Sequence, residues 1–185
     1  MNRLIICLCL WLSFSWGYNL AQPRFELVAV DSLEPSSNTV TCTVHKSGDA
    51  HYLYSAGDAN QLDVFQLSRD GKMEQLDSYI VSGGKKTIRG LITAQINGND
   101  FLFAGLKGGN AVEVFDIQGD GTLKSVFVLP DTDTTYLGIV ITLEVVHMEN
   151  ASYLFVGGLE KTPGLSSFLI RDNGHLDYFE CDDDS

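Results

Sequence analysis

The tightest cluster of basic side chains in an otherwise acidic chain is Lys85, Lys86 and Arg89. Two ammonium groups and a guanidinium so close together suit a phosphate or carboxylate group. A loop over residues 83–90 with its charges turned to water is the plainer reading. Glu144 is the acidic candidate for the same ligand-facing surface, standing in the apolar run Ile141-Thr-Leu-Glu-Val145. No catalytic set emerges. There is no Gly-x-Ser-x-Gly elbow and no His-Glu-x-x-His helix. Gly83-Gly84-Lys85-Lys86 lacks the first glycine and the following helix of a phosphate-binding loop. His45, His51, His147 and His175 have no metal-ligand spacing. Asp131-Thr-Asp133 lacks the full carboxylate series of a calcium loop and reads as a polar turn. No metal and no cofactor is expected, and catalytic residues stay unassigned. Asn150-Ala-Ser152 matches a glycosylation acceptor on an expected turn.

The elements that must position these residues are strands. The 185 residues are 44% hydrophobic and 19% charged, which suits a packed core. A formal charge of −12 argues against nucleic-acid binding and against docking on anionic lipid. Three signatures then recur three times in the same order. Tyr52-Leu-Tyr-Ser-Ala-Gly57 matches Phe101-Leu-Phe-Ala-Gly105 and Tyr153-Leu-Phe-Val-Gly157. Leu62-Asp-Val-Phe65 matches Val112-Glu-Val-Phe115 and Leu165-Ser-Ser-Phe168, each followed by a turn ending in Gly71, Gly121 or Gly174. Val40-Thr41, Ile92-Thr93 and Ile141-Thr142 open the three copies, which places the three threonines at equivalent positions.

Each copy holds four strand candidates. The second is nearly all apolar and expected to be covered on both faces. The third alternates, and Asp-Gly or Asn-Gly after it predicts a tight hairpin with positive φ at both central residues. Four antiparallel strands in about 50 residues is the arithmetic of a β-propeller blade. The fold expected is therefore all-β: three four-stranded antiparallel units over residues 38–82, 88–130 and 138–181, forming an incomplete ring. Phe25–Val30 resembles a fourth strand, so residues 24–31 are expected to be an orphan outer strand. The chain then reads as part of a larger propeller. Self-association of two chains into a six-bladed ring is the competing account.

The run Tyr153-Leu-Phe-Val-Gly-Gly158, the Phe strand, Asp172-Asn-Gly174 and Leu176 resemble the lactonase-type seven-bladed β-propeller family, similar to 6-phosphogluconolactonase of the bacterial propeller type. Asp70-Gly71 and Asp120-Gly121 carry the same pattern, so the resemblance spans residues 25–181. It implies propeller blades and, as an alternative function, a fragment of a hydrolase acting on a sugar lactone. The shared residues are core and turn positions. The residues themselves favour a binding or interaction scaffold, with an unidentified ligand or protein partner.

Residues 1–22 read as a signal peptide: Asn2-Arg3, the apolar run Leu4–Trp16, then small residues at Ser15 and Gly17. Cys7 and Cys9 would leave with it, and the mature chain would hold Cys42 and Cys181. No membrane span is expected in the mature chain, and secretion or a periplasmic location is.

Overall fold

A computed structural model describes residues 31–32, 38–82, 87–159 and 164–182. The expected signal peptide, Phe25–Val30, Lys85 and Lys86 lie outside the described residues. Twelve strands form three four-stranded antiparallel sheets, each running from first to fourth strand in chain order. Blade 1 is β1 (Thr39–Ser47), β2 (Ala50–Gly57), β3 (Gln61–Leu67) and β4 (Met73–Ile80). Blade 2 is β5 (Thr87–Ile96), β6 (Asn99–Lys107), β7 (Ala111–Ile117) and β8 (Leu123–Pro130). Blade 3 is β9 (Ile139–His147), β10 (Ser152–Leu159), β11 (Leu165–Ile170) and β12 (Leu176–Asp182).

Blade 2 lies between the other two, and a separate apolar core fills each junction. Tyr52, Tyr54 and Val64 of blade 1 pack with Ile88, Leu102 and Phe115 of blade 2. Phe101, Phe103 and Val114 of blade 2 pack with Leu154, Val156 and Phe168 of blade 3. A sheet buries its two faces against two neighbours, so β6 has room for apolar side chains on both sides, and Phe101 through Leu106 are all buried. The three sheets do not close a ring. Among the described residues no helix is long and apolar enough to cross a membrane.

Three sequence expectations change. The hairpins between third and fourth strands are not two-residue turns with two positive φ angles. Only the glycines take positive φ, +81° at Gly71, +83° at Gly121 and +81° at Gly174. In each, the glycine N–H donates to the carbonyl three residues back, on Ser68, Gln118 or Arg171. The loop is three residues long, a turn followed by a left-handed glycine. Asp120 reinforces it by accepting from the Thr122 N–H at 3.1 Å, and Asn173 from the His175 N–H at 3.2 Å.

The alternation in the third strand does not expose its acids: Asp63 and Glu113 are 2% and 1% exposed. A blade covered on both faces has no solvent side to alternate toward. The threonines also fall out of register. Thr41 pairs with Ala56 and Thr142 with Gly157, but Thr93 pairs with Leu102, further along its strand. Thr93 stands eight residues before Phe101, whereas Thr41 and Thr142 stand eleven before Tyr52 and Tyr153. A shared dipeptide at a different distance from the repeated aromatic therefore does not mean a shared height in the sheet.

Candidate functional site

Connections from β4 to β5, β8 to β9 and β2 to β3 emerge on one face of the blades, as the strand order requires. That face was expected to hold the basic cluster. Arg89 is not in a loop. β5 begins at Thr87, opposite Lys107, and a bulge between Ile88 and Gly90 lifts Arg89 out of the regular pairing. Its Nη2 stands 3.6 Å from Oδ1 of Asp58, at the end of β2 in blade 1. The guanidinium thus has an intramolecular carboxylate partner across a blade junction. Of the three basic residues, only Arg89 is described.

Glu144 is exposed in β9 and pairs with Phe155, the counterpart of Phe103, which pairs with Ile92. It therefore sits at the height of Ile92, and in blade 3. Arg89 and Glu144 are not brought together. Asp131 holds a turn: its Oδ1 accepts the Leu137 N–H at 3.0 Å, and the Thr135 hydroxyl caps the Pro130 carbonyl at 2.9 Å. Among the described residues no three His, Cys, Asp or Glu side chains gather as a metal would need.

The histidines lie toward the opposite face or at blade junctions. His45 Nε2 is 3.4 Å from Asp100 Oδ2 across the blade 1–2 junction. His147 Nδ1 is 2.8 Å from the Ser152 hydroxyl within blade 3. His175 stacks on Phe127 of blade 2 with ring centroids 4.5 Å apart. Cys42 is an exposed free thiol on β1.

The polar groups set most deeply in the molecule are ones the sequence did not single out. The Glu113 carboxylate accepts the Ser82 N–H at 2.8 Å, the Ser82 hydroxyl at 3.0 Å and the Ser125 hydroxyl at 2.7 Å. It ties the connection leaving blade 1 to the middle of blade 2. Asp63 occupies the equivalent place in blade 1 and accepts the Ser78 hydroxyl at 2.7 Å and the Gln61 amide at 3.1 Å. The signal was present: both acids stand two residues before the repeated phenylalanine. In blade 3 that place is Ser166, 2% exposed, whose hydroxyl has no partner among the described residues.

Two titrating groups show how the junctions act. Burial pushes the Tyr54 phenol well above its ordinary value of 10, with Tyr52 beside it adding to the effect, and the hydroxyl donates to the Gly121 carbonyl at 3.0 Å. The Asp120 carboxyl is held below its usual range by the Thr122 hydroxyl at 2.6 Å. On the face formed by the β1–β2 and β3–β4 turns, a groove of about 430 Å³ opens on blade 1 beside Leu67 and Gly71. A second, of about 440 Å³, runs between Asn97 of blade 2 and His147, Arg171 and Asp172 of blade 3. Neither contains Arg89 or Glu144.

No family model and no curated protein matches this sequence. Solved structures do match. A periplasmic gluconolactonase from Pseudomonas aeruginosa aligns with a TM-score of 0.60 at 18% identity, over 81% of this chain and 41% of its own. An exo-β-1,3-galactanase from Phanerochaete chrysosporium aligns at 0.56 and 11% identity, over 77% and 35%. A GH43_1 enzyme from Xanthomonas citri, solved with xylose, aligns at 0.52 and 15%, over 78% and 54%. The chain spans between about a third and just over half the length of these structures. At such identities the likeness is one of fold. The described residues are three consecutive blades of a β-propeller.

Proposed function

We propose that the chain is a binding or interaction scaffold that works outside the cytoplasm, its three blades forming part of a larger propeller. The observation that carries this reading is the open face of blade 3. Phe101 and Phe103 of blade 2 are buried beneath blade 3. Their counterparts Tyr153 and Phe155 are only half-buried, and beside them Leu165 and Phe179 are 46% and 57% exposed. An apolar sheet face of this kind marks a contact surface. The buried acids Asp63 and Glu113 hold the blades, Arg89 has Asp58 as its partner, and Glu144 stands exposed in blade 3 away from Arg89.

The test is an assay of the purified chain on gluconolactone and related sugar lactones, with fractionation of the expressing cells. Hydrolysis no faster than background, with the chain exported and shortened at its N-terminus, is the expected outcome. Lactone hydrolysis that disappears in both Arg89→Ala and Glu144→Gln would replace the scaffold reading with the hydrolase one. A chain retained in the cytoplasm would overturn the location.

A further inference from the structure

We infer that the groove on blade 1 is the seat for Tyr153 of a second copy of this chain. The inference rests on the scaffold reading and names the occupant of the open face. Each junction within the chain uses one device. The first aromatic of the second strand lies on the turn glycine of the following blade. A β-carbon on Gly121 would stand 2.3 Å from the Tyr52 ring, and one on Gly174 would stand 2.8 Å from the Phe101 ring. Only a glycine lets the ring lie so close. Polar bonds fasten the same places: Tyr54 donates to the Gly121 carbonyl at 3.0 Å, and the Asn97 amide to the Asp172 carboxylate at 2.6 Å.

Tyr153 is the third aromatic of that series. It is half-buried, and its described ring contact is Phe179 of its own blade, edge-on with centroids 5.0 Å apart. Gly71 is the remaining turn glycine of the series. Its loop has the same hydrogen bonds and the same φ as the other two. It opens onto the groove of about 430 Å³, walled by Leu67 and Arg69 and by Lys46 and His51 of the β1–β2 hairpin. Leu67 is the counterpart of Ile117, which packs in the core that holds Tyr52. Leu67 and Gly71 of this groove therefore hold the places that Ile117 and Gly121 hold at the seat of Tyr52 on blade 2.

Charge favours the same match. Lys46 and Arg69 outweigh the groove's one acid, Asp49. In blade 3, Arg171 pairs with Asp177 at 2.5 Å, which leaves Glu144, exposed on β9, as the unpaired acid of the strands described. The contact joins unlike surfaces, so made twice it closes two chains head to tail into a six-bladed ring.

The full chain is examined by light scattering and sedimentation over a range of concentrations. A mass twice that of one chain is expected. Tyr153→Ala and Gly71→Asn should each weaken association by about tenfold or more. Asparagine tolerates the left-handed turn, so the second variant keeps its fold while filling the groove. In a Cys42→Ser, Cys181→Ser background, mixed Tyr153→Cys and Ser68→Cys chains should cross-link on oxidation. Tyr153→Cys with Leu76→Cys, on outer strand β4, should not. A monomer at every concentration, a dimer unaffected by both variants, or cross-linking without that preference would overturn the inference. A monomer without lactone hydrolysis would reject the second copy and leave the scaffold reading in place.

Discussion

The ring of Tyr52 in blade 1 rests on Gly121 in blade 2, closer than any other side chain at that position would allow. Phe101 and Gly174 repeat the relationship between blades 2 and 3. The glycine is needed twice over, for its φ of +83° and for its missing β-carbon. A hairpin turn within one blade thus doubles as the socket for the next.

Gly121→Ala should accordingly destabilise the chain by about 3 kcal/mol, combining a left-handed alanine with overpacking against the ring. Gly119→Ala is the control. It lies at the start of the same turn, and a β-carbon there would meet nothing within 4 Å. Its effect should stay within about 0.5 kcal/mol. Chemical denaturation of both variants reads the difference. Equal losses would show that the Tyr52 contact does not set the cost.

Glu113 makes a second junction dependent on one side chain. Glu113→Ala removes the acceptor for the Ser82 N–H and for two hydroxyls, and leaves a cavity. Buried donors without acceptors and the lost packing together should cost about 3 kcal/mol or more. Glu113→Gln keeps the volume but turns one end of the group into a donor facing donors, and should cost about 1–2 kcal/mol. Amide hydrogen exchange at Ser82 gives an independent check: it should accelerate in both variants while β6 amides stay protected.

These two junctions show what could be read from the residues and what could not. Three repeats, their four strands and the turn glycines were legible because each is a local pattern of apolar and turn residues. The hairpin type was not, since Asp-Gly fits a two-residue loop as readily as the end of a three-residue one. The burial of Asp63 and Glu113 was hidden because alternation implies a solvent side, and a sheet covered on both faces has none. Arg89 and Glu144 were expected on one ligand-facing surface, but Arg89 reaches Asp58 of blade 1 while Glu144 is exposed on blade 3. The bulge at Ile88–Gly90 lifts Arg89 out of the regular pairing.

Tyr54 ties stability to alkaline pH. Its phenol titrates higher in the folded chain than the ordinary value of 10, through burial first and the neighbouring Tyr52 second. The unfolded chain therefore releases this proton before the folded one does. The contribution to stability is whole below pH 10 and is lost as pH rises above it toward the folded value. Tyr54→Phe should flatten that alkaline decline, and should cost about 1 kcal/mol at neutral pH through the lost bond to the Gly121 carbonyl. Denaturation midpoints from pH 7 to 11 test both limbs. A variant that declines as steeply as the parent would assign the pH effect to other groups.

Ser166 predicts the opposite sign. It holds the place of Asp63 and Glu113, buried at 2% exposure, but its hydroxyl meets no partner among the described residues. The connection that enters blade 3 explains why: Asp131 and Thr135 hold it from within, through the Leu137 N–H and the Pro130 carbonyl, so no clamp from β11 is required. A buried hydroxyl without a bond carries its desolvation cost with nothing in return. Ser166→Ala should therefore raise stability by about 1 kcal/mol, where Glu113→Ala lowers it. Ser166→Asp should be destabilising, because the charge would enter a site with no donor aimed at it. Thermal and chemical unfolding of the pair decide the matter. A loss of stability in Ser166→Ala would mean that the hydroxyl is satisfied in solution, and that the third blade keeps the clamp found in the first two.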